Sequence, residues 1–209
     1  MSAYFTGFTV GCRVAPHMVK RAGHIRSFTA LASIASAAAL AHALAVNPVF
    51  WILLRVIAGF CMAGLYMIIE SWINEGATNE RRGRILAVYR IVDLGAGTVG
   101  QAMLATADPS EFYLFALVSI LISVALVPVA LTSTTQPTPI TSAEIDLNKL
   151  FRISPLAAFG CLSVGAANGA YWAVGAVYVQ KLGYDIQTVA AFMTTVVVSG
   201  AVSQWPLGF

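Results

Sequence analysis

Gly11-Cys12-Arg13-Val14-Ala15-Pro16-His17-Met18-Val19-Lys20-Arg21-Ala22-Gly23-His24-Ile25-Arg26 is an apolar run that meets a proline and then a basic stretch. A second such stop begins at Gln204-Trp205-Pro206-Leu207-Gly208-Phe209, where the sequence ends. The interval between the two prolines, about 190 residues, fits one six-helix half of a membrane fold built from two repeats. On this reading the chain breaks off inside its second copy and is a fragment.

Composition agrees with a membrane setting. Hydrophobic residues make up 58% and charged residues 10% of the 209, whereas soluble domains carry about 25% charged residues. The apolar residues fall in blocks of about 20, the length a helix needs to cross the hydrocarbon core. The blocks are 1–16, 27–46, 48–72, 85–106, 112–132, 154–179 and 186–206. In lipid each must satisfy its own backbone, which predicts about seven transmembrane helices. Met1-Ser2-Ala3-Tyr4-Phe5 has no positive charge and does not open a signal peptide.

The basic residues orient these helices. The stretches 17–26, 75–84 and 133–152 hold eight of the twelve Lys and Arg: Lys20, Arg21, Arg26, Arg81, Arg82, Arg84, Lys149 and Arg152. The opposite loops, 45–49, 107–111 and 180–185, hold only Lys181. The bias toward one side puts the first set in the cytoplasm. The net charge of +3 comes from loop residues and suggests no nucleic-acid partner. The Thr/Pro-rich segment 133–152 reads as a cytoplasmic linker between an N-terminal bundle, 1–132, and the start of a second bundle, 153–209.

Polar groups inside a bilayer are costly and mark function by default. Arg55 lies within an apolar span and must face a bundle interior or an aqueous cavity; the plainer reading is a bond to backbone carbonyls. Arg90 and Asp93, one turn apart, can neutralise each other. The sharper reading gives Asp93 a proton-carrying role. Glu70 lies near the cytoplasmic mouth, where it could latch onto basic loop residues. Asn168 stands in a glycine-rich span, followed by Tyr171 and Trp172, and joins the candidate transport pathway. Cys12, Cys61 and Cys161 lack paired spacing, and His17, His24 and His42 do not cluster, so neither a metal nor another cofactor is expected. No Ser/His/Asp arrangement, phosphate loop or carboxylate pair suggests an enzyme.

These residues resemble the major facilitator superfamily. The loop from Pro16 through Lys20, Arg21 and Gly23 to Arg26 is similar to its motif G-x-L-a-D-R-x-G-R-K, with Pro16 at the leading Gly and Lys20 at the acidic position. Arg55, Gly59 and Ala63 resemble its helix 4 motif R-x-x-x-G-x-x-x-A. The strings Pro16 to Phe28 and Gly64 to Glu75 are similar to the YcaD-like bacterial permeases. The resemblance implies an all-α, multi-pass protein of the bacterial inner membrane covering family helices 2 to 8. It also implies secondary active transport of a small solute by alternating access, with protons as a candidate coupling ion, and no enzyme. Only two of the helices that line the family's cavity, spans 48–72 and 154–179, would then be present, and the fragment alone is expected not to transport. A non-transporting membrane fragment or scaffold is the alternative.

Overall fold

The computed structural model describes residues 2–103, 112–132 and 151–207. Among them the chain forms helices α1 (Ser2–Ala22), α2 (His24–Ala41), α3 (Pro48–Gly76), α4 (Asn79–Met103), α5 (Phe112–Ala130), α6 (Pro155–Lys181) and α7 (Ile186–Leu207), with no strand. Each corresponds to one expected apolar block. By length and apolarity alone, two of them, α3 and α5, suffice to cross a membrane. The others dilute their apolar surface in two ways. α4 carries Arg81, Arg82, Arg84, Arg90 and Asp93, while α2 and α6 use Ala, Gly and Ser where α5 uses Leu, Ile and Val.

The expected loop after Pro16 is not a loop. α1 continues through Pro16 to Ala22, and Gly23 alone separates it from α2. Apolar helices tolerate a proline where neighbouring helices support the freed backbone. The chain turns at Gly23 because its φ of 84° is open to glycine and strained for an L side chain. Its N–H still donates to the Val19 carbonyl at 2.8 Å. Lys20 and Arg21 therefore occupy the last turn of α1, where the helix dipole favours cations.

The other starts follow local chemistry. Asn47 caps α3 by accepting from the N–H groups of Val49 at 2.9 Å and Phe50 at 3.2 Å, with Pro48 in the first turn. Ser154 accepts from Ala157 N–H ahead of α6. Asp185 accepts from the Thr188 N–H at 3.1 Å and from its hydroxyl at the head of α7. Those bonds hold the Asp185 carboxyl below the usual carboxylate range.

Helices α1, α2, α3 and α5 pack as one body. Val19 of α1, Leu31, Ala32 and Ala35 of α2, and Cys61, Leu65 and Ile68 of α3 are buried together, with Ile122 and Leu126 of α5 against them. α1 and α3 approach through small residues: Gly7 faces the Val56 carbonyl, and Gly59 faces the Tyr4 carbonyl. In lipid, small residues permit this close packing and replace the hydrophobic drive. α4 sits apart from this body, touching α3 sparsely and packing chiefly on α7, which also packs on α6.

A serine knot ties α2 to α5. Ser36 Oγ donates to the Ser119 carbonyl at 3.0 Å or shares a proton with the hydroxyls of Ser119 at 2.8 Å and Ser123 at 2.9 Å. Such bonds between membrane helices average about 0.6 kcal/mol and reach about 1.7. Ser36→Ala is expected to lower stability by about 1 kcal/mol, measured by unfolding in mixed micelles. Loss of the same amount in Ser36→Ala and in the triple variant with Ser119→Ala and Ser123→Ala would identify Ser36 as the hub.

The Thr/Pro-rich segment and the 107–111 loop fall outside the described residues, as does the end of the second proline motif beyond Leu207.

Candidate functional site

One stripe of α3 gathers Arg55, Gly59, Ala63, Tyr66 and Glu70, at offsets of 4, 8, 11 and 15 residues that return to one helix face. α4 runs back along α3. Arg82 Nη2 donates to the Asn74 carbonyl at 3.3 Å, and further from the turn Tyr66 Oη donates to Asp93 Oδ1 at 3.3 Å. Asp93 lies about 21 Å along α4 from its start at 1.5 Å per residue, deep in the helix.

Asp93 is held on both oxygens. Arg90 Nη1 lies 3.3 Å from Oδ2, an ion pair one turn apart in which the Asp93 side chain is 27% exposed and that of Arg90 56%. The local pairing of Arg90 with Asp93 is present, and a second helix also reaches Asp93 through Tyr66.

Tyr89 lies one turn below Asp93 on α4. Its hydroxyl oxygen is buried without a hydrogen-bond partner among the described residues. It is within electrostatic reach of Glu70, Asp93 and Arg90. Buried hydroxyls normally find a partner, so an unmatched one is a place for a bridging water.

Arg55 stands exposed on α3, about 10 Å from its start by the same rise, with the hydroxyl of Tyr4 from α1 inside its electrostatic reach. Tyr4 in turn interacts with Tyr66. A line of polar groups therefore follows the α1–α3–α4 seam: Arg55, Tyr4, Tyr66, Asp93, Tyr89 and Glu70.

The remaining expected positions lie elsewhere. Asn168 is exposed on α6, and Trp172 is 37% exposed. Tyr171 donates its hydroxyl proton to the Met193 carbonyl at 3.2 Å, so it joins α6 to α7 and stacks edge-on with Trp172. Pro16, Lys20 and Arg21 lie on α1, Gly23 is the junction, and Arg26 is exposed in the first turn of α2. Glu70 is exposed and makes no ion pair with Lys20, Arg21 or Arg26 among the described residues.

Sequence reasoning passed over the tyrosines and one histidine. Tyr66 with Glu70 and Tyr89 with Asp93 stand four residues apart, a spacing that aligns each tyrosine with an acid. His24, 1% exposed, stacks on Trp72 with ring centroids 6.2 Å apart and has Ser71 Oγ 3.4 Å from Nε2. Burial holds its imidazole below the usual range, and Glu75 pulls the other way.

Comparison with known proteins identifies the family. The model of the Major Facilitator Superfamily matches residues 1–209. The chain is similar to the uncharacterised MFS-type transporter YcaD of Escherichia fergusonii, 24% identical over 209 residues, and to YcaD of Salmonella heidelberg, 26% identical. Each match covers 99% of this chain and 55% of the relative, so the chain spans about half the length of those proteins. No solved structure matches it. A family match over residues 1–209 leads to one conclusion: the chain belongs to the major facilitator superfamily.

Proposed function

We propose that the chain serves secondary active transport of a small solute across the bacterial inner membrane, by alternating access and with Asp93 carrying the coupling proton. All seven helices cross the bilayer on this reading, with residues 1–132 and 153–209 belonging to two helical halves joined by the linker 133–152. The packing of α4 on α7 lies across that division, where the halves slide as the protein opens to one side and then the other. Family membership and the relatives' description as MFS-type transporters support transport over enzymatic chemistry.

The observation that carries the proton role is the bridge from Tyr66 of α3 to the half-buried Asp93 of α4, with Arg90 on the other oxygen. Charge at Asp93 keeps both bonds. Protonation releases Arg90 and leaves Tyr66 bonded to a neutral, weaker acceptor, so α3 is held less tightly to α4. Arg55 supplies fixed positive charge on the same seam and faces the solute path.

The test places the protein, together with whatever further helices its gene encodes, in liposomes containing a pH-sensitive dye and screens a panel of metabolites under an imposed pH gradient. A solute that moves should change the internal pH, and Asp93→Asn should reduce that signal by about 100-fold, the lower end of general acid–base effects. Arg55→Ala should stop solute movement with membrane insertion unchanged. Solute flux that ignores both the gradient and Asp93→Asn would remove the proton role. Stable insertion with no flux for any solute would favour a membrane scaffold.

A further inference from the structure

We propose that Tyr89 and Glu70 form the proton route to Asp93 from the cytoplasmic end of the α3–α4 seam. The proposal rests on the reading of Asp93 as proton carrier and adds how the proton reaches it.

The geometry is a two-rung ladder. On α3, Glu70 stands one turn from Tyr66; on α4, which runs the opposite way, Tyr89 stands one turn from Asp93. The upper rung is closed by the Tyr66–Asp93 hydrogen bond at 3.3 Å. The lower rung faces Tyr89 with Glu70 and leaves the Tyr89 hydroxyl buried without a partner among the described residues. Glu70 is exposed, six residues before the end of α3, so it meets water while Asp93 lies deeper. Tyr89 is the hydroxyl between the two carboxylates.

The surroundings direct a proton along this line. Asp93 faces Arg90 and Tyr89 on its own helix and Tyr66 on α3, with Tyr4 of α1 behind Tyr66. α7, packed on α4, carries no titratable side chain. Arg90 is positive and does not relay a proton at neutral pH. Tyr66 already donates its proton to Asp93, and Glu70, though one turn away on the same helix, acts electrostatically on Tyr89 and not on Tyr66.

Each transfer balances. A proton from water binds the Glu70 carboxylate. Glu70 passes it, through a bridging water, to the Tyr89 oxygen as the Tyr89 O–H bond breaks and its proton moves, through a second bridging water, to an Asp93 oxygen, since the Tyr89 hydroxyl bonds neither carboxylate directly. Tyr89 ends as it began, and one proton has moved from Glu70 to Asp93. Arg90 is then released from its ion pair.

The experiment follows protonation of the protein in nanodiscs by time-resolved infrared spectroscopy after photolysis of a caged proton. The carboxylic-acid band that vanishes in Asp93→Asn belongs to Asp93. In Tyr89→Phe that band should reach its usual size but rise at least about tenfold more slowly. Glu70→Gln should slow it similarly. Because Glu70 is exposed, this second variant reports even where Tyr89→Phe lowers expression. Glu75→Gln, one turn nearer the helix end, should leave the rate unchanged. Wild-type rates in both Tyr89→Phe and Glu70→Gln, with the Asp93 band intact, would overturn the route alone. Absence of any band removed by Asp93→Asn would overturn the proton-carrier reading and the route with it.

Discussion

Leucine at Gly7 or at Gly59 is expected to prevent α1 from docking on α3 and to leave little folded protein. A side chain added at Gly7 would run into the backbone carbonyl of Val56, and one at Gly59 into that of Tyr4. Neither obstacle is a flexible side-chain tip, so relief requires the helices to separate. Overpacking costs about 1–3 kcal/mol where side chains can shift, and more where backbone must move. The separation would also draw Val19 out of the core it shares with Leu31, Cys61 and Ile68. Gly11→Leu should follow, since a Cβ there would lie 2.7 Å from the Phe60 carbonyl and 2.8 Å from the Ala63 methyl. Gly165→Ala on α6 is the control, with open space around it, and should leave folding unchanged. The fraction of monodisperse protein after size-exclusion in detergent measures the difference. Equal yields for Gly59→Leu and Gly165→Ala would mean that α1 and α3 are not packed as described.

The second large effect concerns charge. Arg90→Gln leaves Asp93 with Tyr66 alone, and Asp93→Asn leaves Arg90 without its carboxylate. Removing one partner of a partly buried pair harms more than removing both. Half of Arg90 is exposed, so the coupling in stability should be modest, about 1 kcal/mol. In expression and folding the double variant, Arg90→Gln with Asp93→Asn, should exceed the worse single. Transport should fail in Asp93→Asn and in the double variant alike, because neither holds a carboxylate to carry the proton. Damage in the double variant equal to the sum of the singles would show the two charges to be independent.

The helices were legible because the chain's apolar blocks have the length and spacing that lipid demands, and because Asn47-Pro48 marks a helix start by its own chemistry. The break at Gly23 was not. A proline in a soluble helix usually ends it, and Pro16 looked like such an end, but α1 passes through it where α3 packs alongside. The site was half legible. Arg55, Arg90 and Asp93 stand out as charges among apolar residues, and their cost in lipid draws attention. Tyrosine carries no such signal, since its ring is at home among apolar neighbours. Tyr66 and Tyr89 become polar groups of consequence only when folding brings α3 and α4 side by side, and no local pattern says that α4 turns back along α3. The link from Tyr171 to Met193 depends on a backbone carbonyl, which sequence cannot mark at all.

The central claim is that consecutive helices cross the membrane in alternation, with the Glu70 end of the α3–α4 seam in the cytoplasm. The direct measurement replaces Cys12, Cys61 and Cys161 by alanine and places single cysteines at Leu44, Thr78 and Tyr184, exposed positions between helices. A membrane-impermeant maleimide is then applied to intact cells and to inverted vesicles. Thr78→Cys should label only in inverted vesicles, and Leu44→Cys and Tyr184→Cys only in intact cells. Labelling of Leu44→Cys and Thr78→Cys from the same side would mean that α3 does not cross, and would contradict the account.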